Sequence, residues 1–168
     1  MTRITDRLRS LFRRAGPAER DPLDYGQMVH LDAEDLAEGG ILSAYQQLLP
    51  LLRRYASSPL EVTEEGDDDG ATYCVAAGGK KYVIWDIGAK SQDGWARATV
   101  AFFDIVNASL ASSEHRFYAL YGGNDLSGLF LTEQEFAAAR RAIKKPAHWP
   151  WVPVNQPPHY GYPVEGAV

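Results

Sequence analysis

The chain has 168 residues and a mass of 18.6 kDa, enough for one domain with a real core and too little for two of ordinary size. Hydrophobic residues at 45% and charged residues at 23% are average globular usage, which excludes a wholly disordered chain, a collagen-like repeat and a coiled-coil fibre. The single cysteine, Cys74, excludes an internal disulfide, and no apolar run approaches the ~18 residues needed to span a bilayer. Both features point to the cytoplasm, without stable membrane insertion.

The net charge of −5 conceals an asymmetry. Residues 1–20 carry six arginines against Asp6 and Glu19, whereas the rest of the chain carries 11 basic and 20 acidic side chains. An acidic body is a poor direct binder of nucleic acid, because phosphate contacts need clustered Lys and Arg. It suits a basic partner, whose encounter it would steer in a salt-dependent way.

The order of elements follows from periodicity. Met1 to Arg14 places Ile4, Leu8, Leu11 and Phe12 at helical spacing among Arg3, Arg7, Arg9, Arg13 and Arg14, a short amphipathic helix that Gly16-Pro17 ends, within a basic N-terminal arm over residues 1–20. Asp32 reads as an N-cap with Asp35 in the first turn, and Gly39-Gly40 stops that short helix. A second helix carries Ile41, Leu42, Tyr45, Leu48, Leu49, Leu52 and Tyr55 on one face, with a kink or a fresh start expected at Pro50.

The period then changes to two. Leu60 to Glu64, Ala71 to Ala77 and Lys81 to Ile87 read as a three-stranded meander, turned at 65–70 and at Gly78-Gly79-Lys80. The near-continuous apolarity of the third run marks it as the central strand. A long helix from Asp93 to Leu110 carries Trp95, Ala98, Thr99, Phe102, Phe103, Val106 and Leu110 toward the core, with Asp93 as N-cap. His115 to Tyr121 and Gly128 to Leu131 read as strands about the turn Gly122-Gly123-Asn124-Asp125. Thr132-Glu133-Gln134-Glu135 is a capping box that opens a last helix.

The expected order is thus ααβββαββα, an α+β domain over residues 21–145 with helices packed on a mostly antiparallel sheet of about five strands. Residues 146–168, rich in proline and aromatics, form an extended strap. Trp149 and Trp151 within it either anchor the strap to the domain or serve as contacts for a partner.

Catalytic and metal signatures are missing from the sequence. His30, His115, His148 and His159 are scattered, Cys74 sits within a strand, and there is no nucleophile elbow, zinc spacing or phosphate-binding glycine loop. Asp67-Asp68-Asp69 lacks the spacing of a calcium loop. No cofactor is expected. Asp86, Asp104 and Asp125 could serve a small metal-dependent hydrolase only if the fold brought them together, and the basic arm could serve a peripheral membrane or scaffold protein.

The run from Phe117 to Thr132, the capped helix after it and Trp149-Pro150-Trp151 resemble the C-terminal half of bacterial immunity proteins that neutralise secreted polymorphic toxins. The resemblance extends over about residues 25–155 in element order and leaves out the basic arm. It implies a non-enzymatic cytoplasmic inhibitor made together with a cognate protein toxin, a basic one given the acidic body. Where the toxin is a nuclease, the inhibitor's charges would mimic a nucleic-acid backbone. The residues expected to meet the toxin are Glu64, Glu65, Asp67, Asp68, Asp69 and Asp125, together with Trp149 and Trp151.

Overall fold

The computed structural model describes residues 21–66, 71–88, 93–156 and 160–163. The basic arm, the Asp67-Asp68-Asp69 hairpin tip and the end of the strap lie outside these residues.

The chain is α+β, as its periodicities require. Its order is β1 (Val29–His30), α1 (Ala33–Asp35), α2 (Ile41–Leu52), β2 (Val62–Gly66), β3 (Thr72–Ala77), β4 (Lys80–Asp86), α3 (Gly94–Ser109), β5 (His115–Leu120), β6 (Ser127–Thr132) and α4 (Glu133–Ala142). Among the described residues the strands form two antiparallel sheets of three rather than one of about five: β2-β3-β4 and β1-β6-β5. The two-residue β1, which is too short to leave a period in the sequence, pairs Val29 with Gly128 and His30 with Ser127.

In the first of these sheets β3 is central and β4 is an edge, which corrects the expectation that the third run is the central strand. The apolarity of β4 has another cause. Tyr73 pairs with Trp85 and Cys74 with Val83, so Ile84 is an extra residue, a bulge. The bulge lets neighbouring residues share a face: Ile84 is fully buried and Trp85 packs on the same core, its indole N–H donating to the Ala37 carbonyl at 2.9 Å. Val83, on the opposite face, is 45% exposed. The β3–β4 turn puts both Gly78 and Gly79 at positive φ, the geometry that a two-residue hairpin demands and that glycine adopts without strain.

The main core lies where α2 and α3 meet the inner faces of both sheets, and it includes Tyr45, Val75, Ile84, Phe102, Phe103 and Phe117. A smaller cluster of Leu23, Tyr118, Leu120, Leu129, Leu131 and Ala139 fills the other face of β5 and β6, with Phe136 and Ile143 from α4 and its end packed against it. Because both faces are covered, β5 is buried over Phe117–Leu120 without alternation. Gly128 makes this possible: a Cβ there would fall 2.1 Å from Cζ of Phe117, so the far end of the ring occupies the space that a side chain would need.

The caps are those expected. Asp93 accepts from the Ala96 amide at 3.1 Å, and Thr132 and Glu135 form a reciprocal box. Helix α2 continues through Pro50 to Leu52 without a fresh start. Trp95 departs from expectation. It lies in the first turn of α3, on a side of the helix left open there although its neighbour Ala96 is buried, and is 36% exposed.

Candidate functional site

A concavity of about 820 Å³ forms a groove between β1, the α1–α2 turn and the outer side of α2. Its walls follow from local chemistry. Asp32 caps α1 by accepting from the Glu34 and Asp35 amides at 2.8 and 3.4 Å. The chain then reverses through Leu36–Gly40, with Gly39 at φ +98°. A Cβ on Gly40 would fall 2.4 Å from the Asp35 carbonyl oxygen, so only glycine permits this approach. The turn leaves Asp35 and Glu38 exposed on the rim. Val29, Leu31, Ala44 and Leu51, all half-buried, give the groove an apolar floor.

The floor helix is held from the opposite sheet. Gly40, at the cap position of α2, has no side chain to offer its first amides. Instead the Ile41 amide donates to the Tyr73 hydroxyl at 3.2 Å, and the Leu42 amide donates to Glu64 Oε1 at 2.7 Å. The Tyr73 hydroxyl in turn donates to Glu64. Burial first, and the hydrogen bond to Glu64 second, push the Tyr73 hydroxyl pKa well above the usual phenol range, so it stays a donor.

Asp32, Asp35 and Glu38 bring three carboxylates to one groove, and the described residues lining it include neither Lys nor Arg. Low-dielectric walls concentrate such a field and favour a cationic ligand. The Asn124 amide donates to Glu34 Oε2 at 3.3 Å, which ties the rim to the turn before β6. Beyond β1 a second cleft, about 330 Å³, shares His30, Leu31 and Asn124 with the groove and adds Asp125. Among the described residues, no three His, Cys, Asp or Glu side chains form a group able to hold a metal ion.

The expected contact residues fall in different places. Asp125 is exposed beside the groove. Glu64 is half-buried, and its carboxylate is engaged by α2 and Tyr73. Glu65 is exposed and paired with Lys81 at 2.7 Å. Asp67, Asp68 and Asp69 lie outside the described residues. Both strap tryptophans serve as internal anchors. The Trp149 indole N–H donates to the Ile143 carbonyl at 2.8 Å under the Arg140 guanidinium, 4.5 Å from the ring. Trp151 exchanges both backbone hydrogen bonds with Ala119, extending the β1-β6-β5 sheet, and its indole donates to the Tyr121 carbonyl at 3.0 Å.

The carboxylates of the hydrolase alternative do not converge. Asp104 pairs with Lys80 at one end of β4, Asp86 lies six residues along, about 20 Å at strand rise, and Asp125 stands beside β1. Sequence reasoning read Asp32 and Asp35 only as helix-start residues. The available signal was four acids, Asp32, Glu34, Asp35 and Glu38, within seven positions without a basic residue. Comparison of the chain with protein-family models, with curated proteins and with solved structures finds no match.

Proposed function

We propose that this protein is an immunity protein, a non-enzymatic inhibitor that binds a cognate basic toxin, and that the acidic groove between β1 and α2 takes a cationic element of that toxin. The observation that carries this reading is the groove itself: three carboxylates over a half-buried apolar floor, with no lining Lys or Arg among the described residues. Apolar surface supplies binding energy, and the carboxylates supply charge selectivity and rate. The strap tryptophans support the protein's own fold, and Asp125 beside the groove extends the acidic surface, apart from the acidic hairpin of Glu65 and Asp67 to Asp69.

The test pairs the protein with the toxin domain encoded beside it. Co-expression should restore growth, and Asp35→Asn with Glu38→Gln should slow association at least tenfold at low salt while leaving the melting curve in place. No growth rescue by the unaltered chain overturns the reading. Full-speed association of the double variant moves the contact away from the groove.

A further inference from the structure

We propose that the acidic groove is also the docking site for this chain's own basic segment, Ile4–Arg14. The inference goes beyond the toxin reading and stands whether or not that reading holds.

Three observations meet here. The first is complementarity. The segment's sequence pairs an apolar stripe, Ile4, Leu8, Leu11 and Phe12, with four arginines, Arg7, Arg9, Arg13 and Arg14, and Arg3 stands just before it. The groove pairs an apolar floor with Asp32, Asp35 and Glu38. The second is where the described chain starts. Pro22 and Leu23 line a cleft of about 220 Å³ whose wall includes Leu51, and Leu51 also lines the acidic groove. The chain therefore enters the fold beside the C-terminal end of the groove's floor helix.

The third is length. As a helix, Ile4–Arg14 would run about 16 Å, against about 18 Å for the twelve residues of α2. The six residues from Ala15 to Arg20 can extend over as much as about 20 Å. The segment can thus lie along α2 with Arg3 and Arg7 at the end where Asp35 and Glu38 stand. In that direction the positive end of its own helix dipole also faces those carboxylates. A toxin that uses the groove would compete with this segment for the same charges.

The test uses the full chain. A nitroxide is attached at Ser10→Cys in a Cys74→Ala background, and amide signals are followed by NMR. At low salt the signals of Asp35, Ser43 and Gln47 should broaden, and the broadening should vanish at about 0.5 M salt, where the screening length falls to a few ångströms. It should also vanish in the Asp35→Asn/Glu38→Gln variant. Both side chains are exposed and neither caps a helix, so the fold should persist, and a thermal melt checks that it does. Absence of broadening at the groove overturns the proposal, as does broadening that survives both salt and the double variant. Broadening that arises only between labelled and unlabelled copies in a mixture also overturns it, since the occupant is then a second molecule. No toxin is present, so none of these outcomes bears on the immunity reading.

Discussion

Glu64 and Leu42, 22 positions apart, are joined by a 2.7 Å hydrogen bond in which a β2 carboxylate caps the first turn of α2. The helix lacks a cap of its own, and its opening amides depend on Glu64 and Tyr73. This is the brace that holds the groove's floor against the opposite sheet.

Removing that brace should be costly. Glu64→Ala is expected to lower stability by about 2–3 kcal/mol, since it deletes a charge-assisted bond and leaves a half-buried donor unpaired. Glu65→Ala, next along the strand, breaks only an exposed pair with Lys81 and should change stability by less than about 0.5 kcal/mol. Urea unfolding of both variants is the measurement. Similar losses at the two positions would mean that α2 does not lean on Glu64.

Two aromatics on α3 should separate as cleanly. Phe102 is fully buried beside Phe103 and Phe117, so Phe102→Ala should cost about 3–5 kcal/mol through loss of contacts and a residual cavity. Trp95, at 36% exposure, should cost only about 1 kcal/mol on truncation to Ala. Thermal melts of the two variants decide the matter, and equal losses would place Trp95 in the core.

The contrast between Trp95 and Phe102 also marks how far the sequence could be read. Signals that act within four residues were legible: the Thr132–Glu135 box, the Asp93 cap, the Gly78-Gly79 turn and the apolar stripe of α2. Periodicity places Trp95 on the same helical face as Phe102, but it cannot say which turns of that face the rest of the fold covers. One of the two sheets includes β1, two residues long, and the other carries the bulge at Ile84. The first leaves no period in the sequence, and the second shows only as a near-continuous apolarity that equally fits a central strand. Glu64 read as one more surface acid because its partners, Leu42 and Tyr73, belong to other elements. The groove was hidden for the same reason: Asp35, Leu51 and Val29 come together only through tertiary packing.

Alkaline pH should break the contact of Tyr162 with Asp93. Burial, together with the hydrogen bond from its hydroxyl to Asp93, pushes the Tyr162 pKa up to about 12. An unfolded tyrosine ionises near 10, so between these values the unfolded chain has lost a proton that the folded chain keeps. The stabilisation is therefore complete below pH 10 and is lost as pH rises through about 12. A tyrosinate absorbance titration should show a late-ionising component that is missing in Tyr162→Phe. Loss of the Asp93 partner in Asp93→Asn should move that component to lower pH, because the hydroxyl no longer faces a carboxylate. Identical titrations of the unaltered chain and Tyr162→Phe above pH 10 would show that Tyr162 does not hold its proton through Asp93.

The strap tryptophans provide the last separation, between support of the fold and contact with a partner. Trp151 is joined to Ala119 by two backbone bonds and to the Tyr121 carbonyl by its indole. Trp151→Ala removes the indole bond and the packing around it, and should cost about 2–4 kcal/mol. Trp149 rests under Arg140 with one indole bond to Ile143, so Trp149→Ala should cost only about 1–2 kcal/mol. An interface tryptophan behaves differently: its truncation accelerates dissociation and leaves the free protein's melting temperature nearly unchanged. Stopped-flow dissociation from the toxin, measured below the melting transition of each variant and beside its thermal melt, distinguishes the two roles. The internal hydrogen bonds predict that Tm falls in the order Trp151→Ala before Trp149→Ala while the dissociation rate of the folded fraction stays within a factor of two. Faster dissociation at unchanged Tm would instead make the strap a part of the recognition surface.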